Sequence, residues 1–84
     1  MMNGNEANAT KKQLDKMRFI YPILTYLVAL KISKEKLSRI SGIPLETVRK
    51  GIRNPSHVSI ETLETMLYAL EEYNHIQCEE LFNI

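Results

Sequence analysis

One cysteine, no tryptophan, three glycines and three prolines in 84 residues exclude several kinds of protein at once. The lone thiol, Cys78, has no partner for an intramolecular disulfide, so the chain is no disulfide scaffold, and its composition suits a reducing, cytoplasmic setting. A cysteine-rich zinc module is excluded on the same ground. Histidine is scarce too: His57 and His75 stand in no Ser-His-Asp or Cys-His context, and no glycine-rich phosphate cradle is present. His75 and Cys78, three apart, can share a helix face, but two ligands make a weak metal site and surface placement is the simpler reading. We therefore expect no enzyme, no cofactor and no metal. Long hydrophobic runs are also lacking. The apolar stretch from Phe19 to Leu30 is only 12 residues, against about 20 needed to span a bilayer. It follows Lys11, Lys12, Lys16 and Arg18 as a signal peptide's apolar region follows its charges, yet no small-residue cleavage site comes after it. It reads as a buried first helix, with no membrane role.

What is present is enough to fold. Hydrophobic residues make up 44% and charged residues 25%, ordinary for a globular chain, and this length closes one hydrophobic core. Net charge is only +1, but it is unevenly spread. Residues 31–53 hold Lys31, Lys34, Lys36, Arg39, Arg49, Lys50 and Arg53 against Glu35 and Glu46, a net of +5. Residues 54–84 hold six glutamates and no lysine or arginine, a net of −6. One face drawn to a polyanion and another repelled by it would orient the molecule on approach. The plainer reading is that these are solvated helix faces of opposite sign.

No strand pattern and no repeat is visible; the periodicities are helical. Residues 1–9 are polar and aperiodic and read as a flexible arm, with the folded domain over 10–84. Thr10 and Gln13 form a possible capping box, and Leu14, Met17, Tyr21, Leu24 and Val28 recur at helical spacing, predicting a helix over about 11–30 that Pro22 kinks or restarts. Ser33 is a fitting N-cap for a helix over 34–41, Gly42 supplies a turn, and Pro44 opens a further helix that Asn54, Pro55 and Ser56 end in a loop. Ser59 can cap a fourth helix over 60–73, with Ile60, Leu63, Met66, Leu67, Leu70 and Tyr73 as its apolar stripe. A final short turn over 78–83 would return Leu81 and Phe82 to the core.

Two short helices joined by a glycine turn cross steeply only with a small residue near the crossing and apolar residues around it. Ser38 is that small residue, and Leu37, Ile43 and Val48 are its apolar neighbours. With the run Ser33 to Ile43, Thr47-Val48, Arg53-Asn54-Pro55-Ser56, Ile60, Thr62-Leu63, Ala69-Leu70 and Glu80-Leu81-Phe82, the chain resembles the Cro and phage-repressor type of helix-turn-helix protein, the XRE-like family, over about residues 22–83. The resemblance implies an all-α, compact five-helix lambda-repressor-like DNA-binding domain, its helix-turn-helix at 33–53. It also implies a homodimer on a pseudo-palindromic operator in double-stranded DNA, acting in transcription regulation.

Carried onto this chain, the family pattern puts Leu45, Glu46, Arg49, Lys50 and Arg53 on the outward, base-facing side of the third helix. Lys34, a position often glutamine in the family, falls near a phosphate, and Ser33, Asn54, Ser56 and His57 flank the sugar-phosphate backbone. The spacing of 46, 49, 50 and 53 independently describes one helical face. Arg49 can fork onto guanine O6 and N7 or grip phosphate, and Lys50 can do either less selectively. Glu46 can accept from cytosine N4, and Leu45 can pack on a thymine methyl. For each base the plain alternative is a phosphate contact without sequence information. Gly51 stands where the family usually has a bulky apolar residue, a change expected to shorten the helix or admit another chain closely. Besides a repressor, two other readings fit: an antitoxin of this fold that binds a toxin and its own promoter, and a module that binds only protein.

Overall fold

The computed structural model describes the backbone of residues 4–82 and the side chains of residues 15–81. Among them every regular element is helical: α1 (Gly4–Ala29), α2 (Lys34–Ser41), α3 (Leu45–Arg53), a 3-10 turn (Pro55–His57) and α4 (Ile60–Phe82). Ile20 and Ile23 of α1, Ile32, Leu37 of α2, Val48 of α3, Val58, and Leu63, Met66 and Leu70 of α4 form the buried core. α4 is the central post, packed by both α1 and α2, while α3 is held through α2 and the 3-10 turn.

The short helices end where their sequences say. Ser33 caps α2, its hydroxyl accepting from the Lys36 N–H at 3.1 Å. Gly42 closes α2 in the left-handed region at φ 76°, its N–H donating to Ser38 O at 2.9 Å. The turn is wired by serines: Ser38 Oγ donates to Ile43 O and Ser41 Oγ to Leu37 O, each at 2.6 Å, while Ile43 N–H donates to Ser41 Oγ at 3.2 Å. Pro44 is the N-cap of α3: its carbonyl accepts from Val48 N–H at 3.0 Å, while its nitrogen stands before the first turn, so the missing N–H costs nothing. Ser59 caps α4 through Thr62 N–H at 3.2 Å; of the expected stripe, Leu63, Met66 and Leu70 lie in the core and Leu67 and Tyr73 pack against it, while Ile60 is half-buried.

The long helices depart from expectation. α1 starts at Gly4, so residues 4–9, read above as part of the arm, are helical: nothing between Gly4 and Thr10 stops a helix, and Glu6, Ala7 and Ala9 favour one. It also passes through Pro22 without restarting, leaving Arg18's carbonyl without the usual i+4 donor. Its inward face is Ile20 and Ile23, flanked by Phe19, Leu27 and Leu30, not the predicted stripe. Tyr21, Leu24 and Val28 are exposed, Val28 at 78%; Leu14's side chain lies outside the described residues. The error is one residue, or 100° of rotation, and arises because Phe19 to Leu30 is apolar nearly all round. α1 ends in a Schellman arrangement, Ile32 N–H to Leu27 O at 3.0 Å and Lys31 N–H to Val28 O at 3.3 Å, with Lys31 at φ 54° in place of the usual glycine.

At the other end, the predicted final turn over 78–83 is absent, since α4 runs unbroken to Phe82. No glycine or proline interrupts Tyr73 to Phe82, so propagation meets no stop. Leu81, expected in the core, is 71% exposed, and the side chain of Phe82, expected there with it, lies outside the described residues. Among the described residues there are thus four α-helices and a 3-10 turn where five helices were expected, in an elongated body of 58 × 25 × 18 Å. Its radius of gyration of 15.0 Å exceeds the roughly 12 Å of a compact domain this long.

α3 passes Gly51 without shortening. That residue is buried, and a Cβ there would lie 3.3 Å from a Val58 methyl and 3.7 Å from Leu63. The close approach that the glycine permits is therefore made by this chain's own segment after the 3-10 turn.

Candidate nucleic-acid interface

α3 buries one side and offers the other. Val48 and Gly51 face inward, Leu45, Thr47 and Ile52 are half-buried, and Glu46, Arg49, Lys50 and Arg53 are exposed. The amphipathic split follows from the sequence spacing, and Val48, fully buried, fixes which way the helix is rolled. Beside it the 3-10 turn holds itself together: Ser56 Oγ donates to Asn54 Oδ1 at 2.6 Å, and Asn54 Nδ2 meets His57 Nε2 at 3.3 Å. Together they border an open recess lined by Glu46, Arg49, Lys50, Arg53, Asn54 and His57.

Five of the ten residues singled out from sequence thus line one recess with Asn54, and the remaining four differ in circumstance. Leu45 is half-buried at the start of α3, and Lys34 is exposed at the start of α2. Ser56 is exposed in the turn, hydrogen-bonded to Asn54. Ser33 is exposed, but its oxygen already caps α2. Two further residues belong here that local spacing could not reveal. Lys16 reaches from α1 to Ser56 O at 3.3 Å, a pairing 40 residues apart in sequence. Glu35, in the first turn of α2, meets Arg49 Nη2 at 3.3 Å, while Glu46 meets Arg49 Nη1 at 3.4 Å. The Glu35 carboxyl is held below the usual carboxylate value, first by its own backbone N–H and, beyond that, by Arg49 and the Ser33 hydroxyl, against a smaller opposing effect of desolvation than that first bond.

Not every base in the positive segment is free to act. Lys36 lies over the Tyr73 ring, 4.8 Å from its centroid, and so joins α2 to α4. The glutamates of the acidic segment, Glu61, Glu64, Glu71, Glu72, Glu79 and Glu80, are all exposed along α4. His75 Nε2 pairs with Glu79 Oε1 at 2.9 Å, and among the described residues no group of three metal-capable side chains comes together. Among them, too, no helix is long and apolar enough to cross a membrane.

Comparison with protein-family models, with curated proteins and with solved structures finds no match to this chain.

Proposed function

We propose that this protein is a sequence-specific DNA-binding transcriptional regulator of lambda-repressor-like architecture, a cytoplasmic repressor that lays α3 into the major groove of a pseudo-palindromic operator. One observation carries the reading: α3 is rolled by buried Val48 and Gly51 so that Arg49, Lys50 and Arg53 emerge together beside Asn54 and His57. A helix with cations on its open face, flanked by hydrogen-bonding side chains in a tight turn, suits base edges and phosphates respectively. Lys16, held at Ser56 O, adds a cation beside the 3-10 turn.

One short recognition helix reads only a few base pairs, so two copies on a two-fold site are part of the reading. Exposed apolar side chains suited to such pairing, or to a protein partner such as a toxin, are Tyr21, Leu24 and Val28 on α1 and Tyr68, Ile76 and Leu81 on α4. The decisive experiment selects binding sites from a random duplex pool and follows affinity for them with salt. The expected result is enrichment of a symmetric sequence, with affinity falling by orders of magnitude between about 50 and about 200 mM salt. No enrichment together with salt-insensitive behaviour would overturn the DNA-binding reading in favour of a module that binds only protein.

A further inference from the structure

Arg49 is the only base on α3 that the described residues tie to carboxylates. Glu35 Oε1 holds Nη2 at 3.3 Å from α2, and Glu46 Oε1 holds Nη1 at 3.4 Å from one turn earlier on α3. Lys34, Lys50 and Arg53 make no ion pair among the described residues. A phosphate approaching Arg49 would meet two carboxylates already at the same guanidinium, and like charges so close repel. A guanine edge is neutral and offers acceptors at N7 and O6, which suit the N–H groups the fork has left. The unpaired bases carry no such bias and suit the phosphate rails.

The clamp also limits where the guanidinium can go. A long side chain already held loses less freedom when it binds than one that roams in solvent. Glu46 rides on the same helix as Arg49, so only Glu35 fixes the guanidinium from outside α3. We propose that Glu35 is a positioning residue: it aims Arg49 at a base edge and keeps it off the phosphates, so that sequence reading depends on the first turn of α2 as well as on α3. This rests on the DNA-binding reading above.

The test uses the full chain and duplexes selected by the unaltered protein, with every single-base-pair variant of the best site, each measured across a salt series. Arg49→Ala should lower discrimination at one base pair by about 5- to 150-fold and leave the salt slope unchanged. Lys50→Ala should instead weaken all duplexes alike and lower that slope by about one. Glu35→Gln, an isosteric change at an exposed side chain, should lower discrimination at the Arg49 base pair about threefold or more while tightening binding to the other duplexes. In an Arg49→Ala background the same change should leave discrimination untouched. Full discrimination in Glu35→Gln, a loss that persists without Arg49, or a salt slope reduced by Arg49→Ala would each overturn the proposal while leaving DNA binding standing. Failure of the unaltered protein to enrich any sequence would remove both.

Discussion

The α2–α3 pair and the two long helices around it obey different rules. Each end of the pair meets a specific device: the Ser33 hydroxyl, the left-handed Gly42, the N-cap Pro44, and Asn54, whose N–H returns to Lys50 O at 2.8 Å. α4 is capped at Ser59 but meets no glycine or proline between Tyr73 and Phe82, and from His75 to Leu81 every side chain is exposed. Helices of eight and nine residues are too short to hold together alone, so they need caps and a shared core. A helix of 23 residues propagates until something halts it, whether or not there is a core to cover. The region that presents cations is thus geometrically pinned, as is the first part of α4 with Glu61 to Glu72, whereas the end of α4 that carries Glu79 and Glu80 is not.

The sharpest way to break the contrast is Leu37→Ala. This side chain of α2 is fully buried, and its loss should lower stability by about 2–5 kcal/mol in denaturant titration. Removing a boundary device should cost less: Ser33→Ala leaves the Lys36 N–H without its cap, for about 0.5–2 kcal/mol by the same measurement. The smallest effect should come from the overrunning end, where Leu81→Ala should change monomer stability by less than about 0.5 kcal/mol. A larger loss there, dependent on protein concentration, would mean that Leu81 is covered in an assembly.

How far each part was legible in the sequence follows the same division. The sequence places α2 to the residue and the start of α3 to within one, because serine, glycine, proline and asparagine each have one strong local reason to stand at a helix boundary. The end of α1 carried no such mark, because a lysine fills the left-handed position that glycine usually takes, at a cost of about 1–2 kcal/mol. Its inward face was misread because periodicity cannot choose a side on a helix apolar nearly all round, where only contact with α4 decides. At the candidate site, spacing along α3 puts Glu46, Arg49, Lys50 and Arg53 on one helical face, and in the structure they line one recess. The Glu35 and Lys16 contacts join residues 14 and 40 apart, and only the fold brings those together.

Gly51 bears on the recess from its hidden side. With only hydrogen where other residues carry a methyl, α3 settles against Val58 and Leu63, and the 3-10 turn is drawn in alongside it. The gap between Arg53 and His57 therefore works as a calliper whose jaws are set from behind, by a residue that never reaches the surface. A single added carbon on the hidden side would re-gauge the opening without altering any side chain that lines it.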